Sequence, residues 1–291
     1  MADASAVPGA VALCADDYAI TKGVSRAILD LVDARRLSAV SAMTSMPGWP
    51  ELARDIASRR GSVAIGLHLD LTLRPYDGRA PALPLRDLVF KALFGRLDVA
   101  GLTAEFERQF DAFETAAGVA PDHVDAHHHV HVLPQARFAL LAVLRRRYRT
   151  SAVGDRPLVR DPGDAFGRIA TRRGQTKKAL ATAVLGAGFR GLLARSGFHS
   201  NSGFSGFSAF RRDIPFEREL DVFLVAPGPR HLVMCHPGFA DAALAALDPV
   251  GPRRGDEFRA LMEREDLADW MLRVDRSADD PCIAFAEWLS R

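Results

Sequence analysis

The sequence predicts an α/β protein, a single-domain parallel β/α barrel of the TIM-like type. Strand-like and helix-like segments alternate along the chain, as a parallel barrel requires. Several apolar, strand-like runs end at ionisable side chains, and the catalytic groups of such barrels cluster at the carboxyl ends of the strands. A length of 291 residues with 48% hydrophobic content suits one barrel. Because no repeat and no linker interrupts the chain, we expect residues 1–291 to form one domain.

The first part of the chain supplies several strands and helices. The apolar run 10–15 predicts a buried strand that stops at Asp16 and Asp17. Adjacent strand residues point to opposite faces, so both carboxylates can enter one site only if the chain turns there. The alternative is that they cap the helix that begins after Thr21. The next predicted elements are a helix at 25–36, a strand at 37–43, a helix at 51–59 and a strand at 62–72.

Alternating polarity marks the strand at 62–72. His68, Asp70 and Thr72 share one face, and leucines occupy the other. A lone His on a strand is more often a hydrogen-bonded core or surface residue than a metal ligand. The prediction that His68 is a ligand therefore depends on the other segments that contain His and Asp. The Pro-rich stretch 75–84 follows, and we interpret it as a loop and a candidate lid near the end of this strand.

Two further segments predict helices in the middle of the chain. In 103–117, phenylalanines recur at spacings of four and three, at Phe106, Phe110 and Phe113. This spacing predicts that they form a helix face packed in the core, and it makes an aromatic surface that binds a ligand the less favoured interpretation. A second helix is predicted at 135–147.

Between these helices, the stretch 123–131 reads His-Val-Asp-Ala-His-His-His-Val-His and holds five of the nine histidines. Imidazole is a common ligand for transition metals and acts as an acid or base near neutral pH. A solvated loop or a purification tag is the alternative, but a tag would lie at a terminus without interleaved Val, Asp and Ala. We therefore predict a functional site here. If the stretch is extended, one face carries only imidazole and carboxylate groups, those of His123, Asp125, His127, His129 and His131.

The run 232–238, Leu-Val-Met-Cys-His-Pro-Gly, repeats the pattern of a buried strand with a polar residue at its carboxyl end. His236 then lies where a parallel barrel gathers its catalytic groups. Taken alone, His236 is equally compatible with an ordinary loop position.

A basic, Gly-rich insertion is expected around 167–212, which holds no Asp or Glu and nine Lys or Arg residues. Attraction to an anionic substrate or a membrane surface would explain this bias. We favour the alternative, a solvated helix face that covers the barrel. Within the insertion, 201–207 predicts a polar loop with exposed aromatic residues, which either contact a sugar ring or pack within the loop.

Composition narrows the classes of protein. A formal net charge of +2 gives no support for a nucleic-acid binder. The cysteines, Cys14, Cys235 and Cys282, are odd in number and lack paired spacing, which favours a reducing compartment. No apolar run approaches the roughly 20 residues of a membrane span, and no basic region precedes the first apolar segment as in a signal peptide. We expect a cytoplasmic protein.

Four segments together resemble the signature of the YdjC-like carbohydrate deacetylases, a family that includes chitooligosaccharide deacetylases and hopanoid-biosynthesis deacetylases. The resemblance spans 11–239 with the segments in the family's order. Two departures stand out: Tyr18-Ala19 replaces the usual Phe-Gly, and the tail after Asp241 resembles the family weakly. The segments are Ala15-Asp16-Asp17-Tyr18, Gly66-Leu67-His68-Leu69-Asp70-Leu71-Thr72, the stretch 123–131, and Met234-Cys235-His236-Pro237-Gly238-Phe239.

The resemblance implies a distorted parallel β/α barrel that binds one divalent metal ion through Asp17, His68 and His127, with Asp16 as the catalytic base. Two imidazoles and one carboxylate would leave positions open for water and substrate. Mixed nitrogen and oxygen ligands favour zinc or another transition metal, and magnesium remains compatible. His236 is expected to be the acid that protonates the departing amine.

The remaining polar residues of the His-rich stretch have supporting or rival roles. His129 and His131 are rivals for the role of the acid, or they orient the metal ligands. Asp125 is expected to hold one imidazole in its tautomer.

The reaction that the resemblance implies is removal of an acetyl group from an N-acetylated sugar or oligosaccharide. The expected partner is that sugar and not a nucleic acid, and a homodimer is compatible with the sequence. Two other classes stay open. A phosphoesterase-like metal hydrolase would be expected to use more carboxylates, and a non-enzymatic His-rich metal-binding protein would need neither Asp16 beside Asp17 nor His236.

Overall fold

Seven parallel strands form one sheet in the computed structural model, which describes residues 11–73, 82–211, 213–248 and 251–274. The strands are β1 Val11–Tyr18, β2 Ala39–Ala42, β3 Ala64–Leu69, β4 His123–Ala126, β5 Leu158–Val159, β6 Gly203–Ser205 and β7 His231–Cys235. Their order across the sheet is β5-β4-β3-β2-β1-β7-β6. Because all neighbours are parallel, the carboxyl ends of the strands share one edge.

Helices connect and cover the strands. They are α1 Lys22–Asp33, α2 Trp49–Ala57, α3 Leu85–Leu93, α4 Val99–Ala117, α5 Ala136–Arg147, α6 Phe166–Arg172, α7 Thr176–Leu185, α8 Phe189–Arg195, α9 Phe216–Phe223, α10 Ala242–Leu247, α11 Gly251–Glu263 and α12 Leu267–Trp270. Short 3₁₀ helices span His127–Val132 and Val153–Asp155. The curled sheet with its helices confirms the predicted class, a distorted parallel β/α barrel, although β5 and β6 do not pair to close the sheet within the described residues.

Local signals explain where the helices begin. The Thr21 side chain accepts a hydrogen bond from the backbone N of Val24, so α1 starts earlier than the apolar spacing predicted. Asp98 caps α4 in the same way through the backbone N of Ala100. The predicted core face of α4 is confirmed, because its three phenylalanines are fully buried.

The extended structure differs from the sequence-based expectations in two places. β4 ends at Ala126, so the stretch 123–131 does not form one polar strand face. The segment 201–207 is not only a loop, because β6 lies within it and forms an edge of the sheet beside β7. Phe204 on β6 is accordingly buried.

Some predicted features lie outside the described residues. The Pro-rich stretch 75–84 is described only from 82 onwards, so its role as a lid stays a prediction, and Cys282 also lies outside.

Cys14 and Cys235 are buried free thiols. None of the helices in the described ranges has both the length and the apolar character needed to cross a membrane.

The basic segment 167–212 contributes α6 to α8 and β6 to the fold. Some of its arginines pair with acidic residues that precede it. Arg168 and Arg172 bind Asp164, and Arg190 binds Asp161. These ion pairs support the interpretation that the basic residues belong to helices that cover the sheet.

The variant Gly66→Ala tests the close packing of β3 against β4. Gly66 lies opposite His123 in the strand register, and a Cβ at Gly66 would lie 2.2 Å from Nε2 of the fully buried His123. We expect a loss of about 1–3 kcal/mol in the free energy of unfolding, measured by urea denaturation. Gly167→Ala is the control, because a Cβ there meets nothing within 4 Å. Equal stability of the two variants would contradict this packing.

Candidate active site and metal centre

The end of β1 brings two adjacent carboxylates to one place. The register between β1 and β2 shifts between Ala15 and Tyr18, and Asp17 has a left-handed backbone with a φ of +68°. This irregularity is the turn that the adjacent pair requires, and both Asp16 and Asp17 line the same cavity. Neither residue caps α1, because Thr21 does so.

Asp17, His68 and His127 converge in this cavity. The Oδ1 atom of Asp17 lies 3.0 Å from Nδ1 of His127 and 3.3 Å from Nε2 of His68. One ligand atom from each residue lies within 4.8 Å of the other two. Two nitrogen donors and one oxygen donor at this spacing fit a divalent transition metal.

A sharp turn after β4 aims His127 at Asp17. The backbones of His128 and His129 are left-handed, with φ of +54° and +56°, so side chains no longer alternate between two faces. His128 is exposed, while the ring of His129 packs edge-on against Phe204 with centroids 5.3 Å apart. The turn therefore separates the histidines that the sequence analysis placed on one face.

Asp125 orients the imidazole of His68. Its Oδ1 lies 2.6 Å from Nδ1 of His68, which leaves Nε2 facing Asp17. Burial alone would lower the pKa of His68, but the charges of Asp125 and Asp16 raise it to about 10. A carboxylate behind a ligating imidazole is the usual support of a metal site. Asp125 thus lies where it can hold a tautomer, as the sequence analysis expected.

Arg160 is a central residue that the sequence analysis missed. It is fully buried, and both of its terminal nitrogens lie 2.7 Å from oxygens of Asp16. One of them also lies 2.5 Å from Oδ2 of Asp125. The signal was present, because Arg160 directly follows the two-residue strand β5 at the same sheet edge.

The guanidinium of Arg160 argues against two other conceivable cation sites. Cys14, His123 and Asp125 form one group of potential ligands, and Asp16, His68 and Asp125 form another. The Arg160 guanidinium already contacts Asp16, Asp125 and the sulfur of Cys14, the last at 3.1 Å. Burial raises the pKa of the Cys14 thiol, which keeps it neutral. We therefore assign these groups to a buried ion-pair network.

Arg254 on α11 is the second arginine that sequence reasoning missed. Its Nη2 lies 2.5 Å from Oδ2 of Asp17, and its Nε lies 2.7 Å from Oδ2 of Asp248. Burial alone would raise the pKa of Asp17, but Arg254 and the imidazole of His127 hold it well below its usual range. The residue lies after Asp241, beyond the last segment in which the sequence pattern indicated site residues.

His236 follows β7 directly and lines the cavity. Its backbone N donates a hydrogen bond to Glu257 at 2.6 Å, and its ring lies 5.4 Å from that of Phe210. Burial lowers the pKa of His236 to about 4, although Asp17 acts in the opposite direction. The ring is therefore neutral at neutral pH in the free protein, so the expected role of His236 as an acid requires a proton gained during the reaction.

The two rivals of His236 lie in different surroundings. His129 lines the cavity, and burial together with the charge of Arg160 holds its pKa well below the usual range. His131 is fully buried outside the cavity lining, and its Nε2 lies 2.8 Å from the backbone O of Arg160. The position of His131 favours a role in holding Arg160 over a role as an acid.

The cavity has a volume of about 680 Å³ and opens above Asp16 and Asp17. Two aromatic residues line the cavity together with Lys178 on α7. Phe207 belongs to the predicted loop 201–207, and Phe210 lies three residues beyond it. Its other lining residues include Ile20, Leu73, Leu85, Met234 and Leu247. The site therefore combines a polar floor with largely apolar walls, which suits a ligand with both polar edges and apolar faces.

Comparison with known proteins identifies relatives of this chain. The model of the YdjC-like protein family matches residues 10–271, so the match includes 241–271, part of the tail that was expected to resemble the family only weakly. Chitooligosaccharide deacetylases of Yersinia pestis (strain Pestoides F) and Yersinia pseudotuberculosis (serotype O:1b, strain IP 31758) are each 32% identical over 140 residues. That match covers 45% of this chain and 54% of the relative, so the chain spans about half the length of these relatives.

A solved structure agrees with the fold. The crystal structure of an Enterococcus faecalis V583 protein, described as a candidate cellobiose-phosphate cleavage protein, superposes with a TM-score of 0.60 at 21% identity. The superposition covers 91% of this chain and 97% of that chain. At this identity the likeness concerns the fold alone.

Proposed function

Because the chain belongs to the YdjC-like protein family, we propose that it is a metal-dependent hydrolase that removes an acetyl group from an N-acetylated sugar or oligosaccharide. The observation that carries this proposal is the convergence of Asp17, His68 and His127 in the floor of an open cavity. The names of the chitooligosaccharide deacetylases support the choice of substrate class.

The proposed metal ligands are Asp17 Oδ1, His68 Nε2 and His127 Nδ1, the atoms that face one another. A bound divalent ion would act as a Lewis acid and would lower the pKa of a water molecule there. Zinc or another transition metal suits this donor set, and magnesium is compatible with it.

Asp16 is the proposed general base. Arg160 binds both of its oxygens, which fixes the carboxylate beside Asp17. A positioned carboxylate can take the proton of a water molecule that attacks the acetamide carbonyl. Asp16 acts in this scheme as a base and not as an essential ligand, since Asp17, His68 and His127 already supply three protein ligands.

His236 is the proposed acid for the departing amine. Its ring lines the cavity that holds Asp16 and Asp17. Since the ring is neutral in the free protein, the proton that it would give to the amine is the one that Asp16 takes from the attacking water. The aromatic faces of Phe207 and Phe210 would pack on the sugar ring, as apolar sugar faces and aromatic rings favour such contact.

The alternative hydrolase class finds less support. A phosphoesterase-like site would be expected to use further carboxylates, possible ligands for a second metal. The nearest additional carboxylates, Asp16 and Asp125, are both paired with Arg160. A protein that only stores or senses a metal would not require the open cavity beside this base.

The first test of this function is metal binding. Asp17→Ala, His68→Ala and His127→Ala should each abolish stoichiometric metal binding, because each removes one of three protein ligands. Metal content after dialysis, measured by inductively coupled plasma mass spectrometry, gives the readout. His128→Ala is the matched control, since His128 adjoins His127 and lines the cavity but is not in the group whose ligand atoms converge. Full occupancy in one of the three variants would remove that residue from the ligand set.

The second test concerns the base. Asp16→Asn should keep the metal and the fold but lower turnover by a factor on the order of 10² to 10⁴, the usual contribution of a positioned acid or base. Acetate release from N-acetylated oligosaccharides gives the rate, and circular dichroism and metal content serve as controls. Unchanged turnover would exclude Asp16 as the base.

The third test separates the acid from other roles. An amine is a poor leaving group unless it is protonated, whereas a phenolate can leave without a proton. His236→Ala should therefore strongly lower the rate of hydrolysis of an N-acetyl sugar. The rate of hydrolysis of an activated aryl acetate should change little, provided that the wild-type protein accepts both substrates. Equal losses on the two substrates would indicate a positioning role, and His129 would be the next candidate for the acid.

A further inference from the structure

We propose that Arg254 is a positioning residue for the metal ligand Asp17, which it restricts to coordination through one oxygen. This inference rests on the proposed metal site. The Nη2 atom of Arg254 lies 2.5 Å from Oδ2 of Asp17, while Oδ1 faces His68 and His127. The two oxygens of one carboxylate thus have separate tasks.

The guanidinium is held rigidly in this orientation. Its Nε lies 2.7 Å from Asp248 Oδ2, so the group spans two carboxylates. The backbone O of Arg254 accepts a hydrogen bond from the backbone N of Gly238 at 3.1 Å. A Cβ at Gly238 would lie 3.2 Å from Cδ of Arg254 and 2.9 Å from Val24, so the glycine makes room for the arginine stem.

The same helix also supports His236. Glu257, one turn after Arg254 on α11, accepts the hydrogen bond of the His236 backbone N at 2.6 Å. One helix therefore contacts both the proposed metal ligand and the proposed acid. The two contacts tie the C-terminal part of the chain to the site.

The chemistry of the pair favours a functional role over a purely stabilising one. Arg254 is only 2% exposed, and its Nη1 has no hydrogen-bond partner in the described residues. A buried donor without a partner is unfavourable, and a buried ion pair contributes little net stability on average. The gain lies in the coordination geometry, because a carboxylate restricted to one oxygen leaves more positions around the ion for water and substrate.

Asp16 and Asp17 differ in how their carboxylate oxygens are paired with arginine. Arg160 occupies both oxygens of Asp16, whereas Arg254 occupies one oxygen of Asp17. Two neighbouring residues of the same type are thereby given different capacities to bind a cation. Arg254 is the group that leaves Asp17 with one available oxygen.

The experiment compares Arg254→Met with Arg253→Met in the whole 291-residue chain. Arg253 is the matched control, because it is equally buried on α11 but pairs with Glu219 and lies outside the cavity lining. Affinity for Zn²⁺ is measured by competition with a chromophoric chelator, and the visible absorption spectrum of bound Co²⁺ reports the coordination. Circular dichroism checks the fold.

We expect Arg254→Met to bind Zn²⁺ roughly 10 to 100-fold more weakly, the usual effect of removing a group that orients a ligand. Its Co²⁺ absorption should weaken, because a freed carboxylate can bind through both oxygens and raise the coordination number. Arg253→Met should keep both properties. Wild-type affinity and spectrum in folded Arg254→Met would overturn the proposal.

A second variant, Arg254→Lys, tests the proposal if Arg254→Met does not fold. Arg254→Lys keeps the charge but lacks the planar guanidinium, which reaches Asp17 and Asp248 through two separate nitrogens. We expect it to lose affinity in the same direction, and wild-type affinity and spectrum in this variant would also overturn the proposal. If the wild-type protein itself binds neither ion, the ligand set of the proposed function fails, a result distinct from an effect confined to Arg254.

Discussion

The arrangement of the site depends on burying two adjacent carboxylates at the end of β1, an interior strand of the sheet. A charge is removed from water at high cost unless opposite charges and hydrogen bonds replace the water. Asp16 and Asp17 are both buried, and each has its own arginine, Arg160 after β5 and Arg254 on α11. The shifted register and left-handed backbone at Asp17 turn the two side chains toward these separate partners.

The parallel sheet makes this convergence possible. β1 lies between β2 and β7, so the carboxyl ends of β3, β4 and β7 are near enough to add imidazoles from several positions in the chain. Each element contributes only one or two side chains, and the loops after the strands set their directions. The apolar alternation along each strand meanwhile fills the core on both sides of the sheet.

Sequence patterns predicted this fold class and the segments of the site, because apolar runs that end at ionisable residues show where strands end. They could not predict the turn after Ala126, because the left-handed backbones of His128 and His129 carry no glycine signal and break the strand alternation. Arg160 and Arg254 were missed because arginines are common on surfaces. Only the folded chain shows that these two are buried against carboxylates.

The charge balance of the cluster explains why a cation would be favoured at its centre. Arg160 serves both Asp16 and Asp125, and Arg254 serves both Asp17 and Asp248, so each guanidinium faces two carboxylates. In the free protein, the imidazole of His68 supplies additional positive charge, because the neighbouring carboxylates raise its pKa to about 10. A divalent ion bound through Nε2 of His68 would displace that proton, since a ligating imidazole must be neutral. The ion would then supply the positive charge that the imidazolium gives up, and it would add one further unit of positive charge among the carboxylates.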